Sequence, residues 1–159
     1  MGALLRNLRI IGAALRGRAS PMRYRIIVPS GWEAFPAEGD RHYDEYRSPS
    51  VQAAVRVFAF ESSATTLEDI ISDDLAGIRA HEGAVIDGQS ETTLMNGTPA
   101  HRIEYSITAE DGSRHGVDVM AVLDDGSVLV SMVSEEPVSP ALLATFNGMI
   151  DSLFLETSG

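Results

Sequence analysis

Four histidines (His42, His81, His101 and His115), twelve arginines, 23 carboxylates and no cysteine are the reactive inventory of this 159-residue chain. Without a thiol there is no disulfide, no cysteine-ligated zinc or iron–sulfur cluster, and no thiol nucleophile. No two histidines stand at the HxH or HExxH spacings that set two imidazoles on one metal, so the expected metal and cofactor are none. His101 and His115 flank hairpin turns that could bring them close across neighbouring strands; ordinary strand histidines are the plainer account. Asp124-Asp125-Gly126-Ser127 lacks the alternating acids and distal glutamate of a calcium loop. No G-x-S-x-G elbow, Gly-x-Gly-x-x-Gly turn or Walker A pattern occurs. His101 and Glu104 could serve acid–base chemistry by type, yet residues three apart on a strand point to opposite faces. Glu68, Asp69, Asp73 and Asp74 read as the solvated face of a helix. Arg47, Arg56 and Arg102 are the candidate contacts for an acidic group of a partner, weighed against simple pairing with neighbouring acids on the sheet. The expectation is a chain that is not an enzyme.

Charge narrows the partners. The net charge is -11, but residues 1–21 contain four arginines and no acid, leaving the remainder far more acidic than the total suggests. Nucleic-acid affinity rests on cationic side chains displacing counterions, so a nucleic-acid partner is excluded for the main domain. No apolar stretch approaches the ~20 residues that span a bilayer. A protein partner and a cytoplasmic location are the expectations, with peripheral membrane or complex association through residues 1–21.

Two segments must position these groups: an extension over residues 1–21 and a single domain over 22–159. In the extension, Leu4, Leu8, Ile11 and Leu15 fall on one stripe at helical spacing, with Arg6, Arg9 and Arg16 off it. Gly17 and Pro21 end the pattern. The spacing predicts a basic amphipathic helix, whose stripe is the candidate partner-binding surface. Four readings stay open: a docking or membrane-surface helix, an organelle-type presequence, a degenerate signal, or an extension upstream of a true start at Met22.

The domain reads as strands and two helices. RYRIIV (23–28) is a β-rich run stopped by Pro29-Ser30-Gly31, and Trp32 is a core plug. Residues 33–41 read as loop, 42–48 as an edge strand and 51–60 as a stronger strand, with Val55, Val57 and Ala59 opposite Arg56, Phe58 and Phe60. Thr65 and Glu68 suggest a capping box for a helix with Leu67, Ile70, Ile71, Leu75 and Ile78 as its stripe and Gly83 as its stop. Asn96-Gly97, Asp111-Gly112 and Asp125-Gly126 then mark three hairpin turns in a four-strand meander. Ser139-Pro140 opens a closing helix with Leu142, Leu143, Phe146, Met149, Ile150 and Leu153 inward. The fold class is therefore α+β: a mostly antiparallel sheet of about seven strands with a helix on each face, plus the N-terminal helix. Its apolar residues are expected to close a two-sided sandwich with no buried reactive group.

That order carries a resemblance. Tyr24 to Trp32 (Y-x-I-x-V-P-x-G-W), the TLED helix start at Thr66 to Asp69, the L-x-N-G-x-P-A turn from Leu94 to Ala100, R-I-E-Y at Arg102 to Tyr105 and a closing I-D-S-L-F together resemble the Mog1/PsbP-like superfamily, and within it the DcrB-like bacterial domains. The similarity spans residues 23–155 and rests on turns, caps and core plugs. It implies an α/β sandwich and a non-catalytic role, as in extrinsic photosystem subunits, Ran-binding proteins, envelope lipoproteins and secretion-effector chaperones. The chain lacks the lipidated cysteine of the lipoproteins. A protein-binding or chaperone-like module is the first expectation. An accessory subunit tethered by the N-terminal helix is the second, and a small-ligand binder or enzyme with a pocket between sheet and helix the third.

Overall fold

The computed structural model describes residues 23–49, 52–61, 66–95, 97–110, 112–123, 126–135 and 138–156. The helix expected over 1–21, with Leu4, Leu8, Ile11 and Leu15, lies outside the described residues. Seven strands form one antiparallel sheet in the order β2-β3-β4-β8-β7-β6-β5. These are β2 (Glu33–Phe35), β3 (Asp44–Arg47), β4 (Ala53–Glu61), β5 (Ala84–Thr93), β6 (Pro99–Ala109), β7 (Gly112–Leu123) and β8 (Gly126–Ser134). β5 to β8 are the meander that the hairpin turns predict. β4 returns beside β8, so the most apolar strands lie at the centre, covered on both faces.

The two faces hold separate cores. Val55, Val57, Val119, Val130 and Met132 point one way and bury Phe146, Met149 and Ile150 of helix α2 (Pro140–Ser152). Trp32 packs partly buried against this layer. Phe58, Ile103, Met120 and Leu129 point the other way and meet Ile70 and Ile78 of helix α1 (Leu67–Arg79). Each fully buried side chain of this size contributes about 1.5–3 kcal/mol, so both layers contribute to holding the sheet between its helices. Ser139 caps α2 by accepting from the Leu142 amide, and Pro140 opens its first turn.

Four expectations change. Residues 33–35, read as loop, are strand β2, paired with β3 as the sheet's outer edge. The first strand, β1 (Arg23–Arg25), leaves the main sheet and pairs antiparallel with a short final strand, β9 (Phe154–Glu156). The N-cap of α1 is Thr66, which accepts from the Asp69 amide. Thr65 lies outside the described residues. Asp74, read as solvated, is buried, because it sits four residues after Ile70 and four before Ile78 and so shares their face. The chain does keep ionisable groups inside.

Candidate functional site

The buried polar groups form a row across the sheet beneath α1. Glu45 on β3 stands opposite Arg56 on β4, Arg56 opposite Ser131 on β8, and Ser131 opposite Asp118 on β7. Strict alternation puts all four on the α1 side, one per strand. Glu45 Oε1 accepts from Arg56 Nε at 3.0 Å, and the Arg56 guanidinium lies 4.6 Å from the centre of the Tyr43 ring. Ser131 Oγ donates to Asp118 Oδ1 at 2.7 Å. Asp74 closes the row from the helix above. Tyr105 lies across β7 at Gly116, where any Cβ would strike its ring.

Burial governs the charge of this row. Asp118 is 0% exposed and Asp74 is 2% exposed. Desolvation pushes Asp118 up to about 6, against the lowering effect of hydrogen bonds from Asp74 and Ser131. Asp74 rises well above the carboxylate range, through burial first and the neighbouring Asp118 second. Neither Asp74 oxygen receives a hydrogen bond from another kind of group among the described residues. A proton retained on Asp74 and donated to Asp118 satisfies both carboxyls, whereas two carboxylates here would repel. Burial likewise pushes the Tyr105 hydroxyl up, reinforced by both acids. This is a proton-sharing acid pair in type. Both acids are buried between helix and sheet.

Of the arginines singled out from sequence, Arg47 and Arg56 converge on one carboxylate and Arg102 stands apart. Arg56 is buried on Glu45; Arg47 Nη2 reaches the same carboxylate at 2.6 Å and stacks on Phe35 at 4.3 Å. Arg102 pairs with Glu104 at 3.1 Å and donates to Asn147 of α2 at 2.8 Å. All three meet acids of the sheet. His101 and His115 are not brought together: His115 stands opposite Ser106, five residues along β6 from His101, or roughly 17 Å of strand. His101 Nε2 instead lies 2.9 Å from Gln89 Oε1. Among the described residues no three His, Asp or Glu side chains could share a metal ion.

One constellation escaped the sequence reading. Ser106 Oγ donates to Asp87 Oδ2 at 2.5 Å and lies 3.2 Å from His115 Nδ1. The residue types are those of a hydrolase triad, but the order is not. The serine sits between acid and imidazole rather than at the end, so the histidine is not oriented by the acid. The group stabilises the β5-β6-β7 surface.

The open concavity lies elsewhere. A groove of about 370 Å³ opens between the start of α1 (Leu67, Glu68, Ile71), the end of β5 (Glu91 to Thr93) and the start of β6 (Pro99 to His101). Leu67 and Ile71 give it an apolar lining, and the exposed Glu68 and Glu91 stand at its sides. Its volume is at the small end for a ligand pocket. No single residue type announces it, because three separated segments build it.

Solved structures share this architecture. LpqN of Mycobacterium tuberculosis, described as involved in cell envelope biogenesis, superposes with a TM-score of 0.69 at 15% identity, over 89% of this chain and 88% of its own. Cyanobacterial PsbP (CyanoP) of Synechocystis gives a TM-score of 0.63 at 15% identity, covering 84% and 86%. A point mutant of Mog1 gives 0.55 at 11%, covering 84% and 96%. No protein-family model matches the chain, and no curated protein does. The likenesses show the fold.

Proposed function

We propose that this chain, whose fold is that of the Mog1/PsbP-like superfamily, is a non-catalytic protein-binding or chaperone-like module of the DcrB-like kind. The observation that carries the reading is where the ionisable groups lie. The acid pair and its tyrosine are buried under α1, while the described surface includes an open sheet edge and a small groove flanked by carboxylates. Catalysis needs its acid or base within reach of the substrate, and this pair is buried. Sheet edges and apolar grooves are instead the surfaces by which proteins take up other proteins.

Purification from the native host after mild chemical cross-linking tests this. One protein should be recovered in stoichiometric amount with the chain. A chain that emerges alone, or bound only to a small molecule, overturns the reading.

A second reading, an accessory subunit held at a membrane or complex by residues 1–21, is favoured by the cationic amphipathic pattern of that segment. Removing residues 1–21 should then shift the protein from the particulate to the free fraction. Unchanged fractionation removes it.

A further inference from the structure

We infer that the β5 edge and the groove beside it form a docking site for an extended, cationic segment of a partner protein, which adds a strand along residues 89–93 while its basic side chains lie against Glu68 and Glu91. The inference rests on the protein-binding reading and names where and by what chemistry that binding occurs.

The sheet has two edges, and they differ. β2 is three residues long, and Phe35 on it is covered by the Arg47 guanidinium. Such an edge is blunted against strand addition. β5 is ten residues long and pairs on one side only, with β6. Its outward backbone groups are a template for another strand. A bulge between Ile86 and Gly88 breaks the regular ladder, which confines the usable run to residues 89–93. That run borders the groove. Val85, 57% exposed, and Met95, 67% exposed, stand at either end of the strand as apolar contacts that the fold leaves uncovered.

Charge selects the occupant. Glu68 and Glu91 have no hydrogen-bond or ion-pair partner among the described residues, unlike Glu45 and Glu104, which hold arginines. Two unneutralised carboxylates beside an apolar lining suit a strand that alternates basic and apolar side chains. The basic ones lie on the α1 side, their stems along Leu67 and Ile71 and their charges at the two acids, while the apolar ones turn to the opposite face beside Thr92. An acidic strand would be repelled.

The probe is a labelled octapeptide of alternating arginine and valine, with two controls: the glutamate–valine peptide, and the arginine peptide interrupted by prolines that cannot ladder. Binding is followed by amide shift mapping on the full chain. The arginine–valine peptide should bind saturably, with shifts confined to residues 67–71, 89–93 and 99–101. Glu68→Gln with Glu91→Gln should weaken it about fivefold, the scale of two exposed ion pairs. The proline peptide should lose binding, because the arginines alone do not suffice. Equal binding of the proline peptide, shifts centred elsewhere, or no saturation overturns the inference. A host protein recovered by cross-linking whose contacts map away from β5 overturns this site while leaving the broader reading intact.

Discussion

Asp74 on α1 and Asp118 on β7 lie together inside the closed layer between helix and sheet, where burial pushes both carboxyls toward the protonated form. A helix that reads as acidic on its solvent side thus carries its most consequential acid on the other.

The pair makes stability depend on pH with a definite sign. An unfolded aspartate loses its proton near pH ~4. Folded Asp118 keeps it to about 6, and burial and the neighbouring Asp118 push Asp74 in the same direction. The folded state therefore binds more protons than the unfolded one above pH ~4, so this contribution to stability falls as pH rises through that window. Asp74→Asn replaces the protonated carboxyl with a neutral donor. The variant should lose less stability than the parent as pH rises above ~4. Thermal melts at stepped pH read this; parallel profiles would remove the shared proton.

Glu45 holds Arg56 in a buried pair, with both side chains almost wholly covered. Removing one partner leaves the other charge in a dry layer. Glu45→Leu should cost about 3 kcal/mol in urea unfolding, while the double variant with Arg56→Met should recover part of that loss. Arg102→Ala, whose partner Glu104 is nearly half exposed, should cost less than about 1 kcal/mol. A double variant worse than the sum of the two buried single variants would contradict the pairing.

Gly83 has φ +82°, and a Cβ there would run into the Thr108 carbonyl oxygen. Gly83→Ala should destabilise by at least about 2 kcal/mol, since backbone cannot yield as a flexible side chain can. Gly88→Ala, in open space and with no positive φ, is the control and should change stability by less than about 1 kcal/mol. Chemical denaturation of the two variants separates local strain from the general effect of losing a glycine.

Tyr24 donates to Asp44 Oδ2 at 2.5 Å and lies 2.9 Å from the Tyr46 hydroxyl, tying the β1–β9 ribbon to β3. Burial, aided by Asp44, pushes its hydroxyl far up, so it stays protonated as the donor. Tyr24→Phe should cost about 1–2 kcal/mol. Amide exchange should quicken in β1 and β9 before β7 and β8; uniform quickening would argue against a local tie.

Legibility from sequence followed the range of the interactions. β4 was plain, because Val55, Val57 and Ala59 alternate with Arg56 and Phe58 over nine residues. The three hairpins announced themselves through Asn-Gly and Asp-Gly. β2 did not, since three residues between turn signals carry no period. The pairing of β1 with β9 joins positions 131 apart, such as Tyr24 and Leu155, and nothing local to either specifies it. The acid pair was nearer the surface of the sequence than its reading allowed. Asp74 lies at the i+4 position of Ile70, and Asp118 sits between Val117 and Val119 in a strand buried on both faces. A polar residue in an apolar stripe is the signal, and the neighbouring Asp73 masked it. The groove had no such signal, because Leu67, Glu91 and His101 meet only once the hairpin has closed over α1.

The β1–β9 ribbon also sets an order of events during synthesis. Tyr24 and its neighbours are the first described residues to leave the ribosome, yet their strand partners are among the last described residues to emerge. The meander and α1 can assemble earlier from nearby pieces. The nascent chain must therefore hold an unmatched first strand until β9 has emerged, a long interval in which it is open to chaperones or to a mistaken strand.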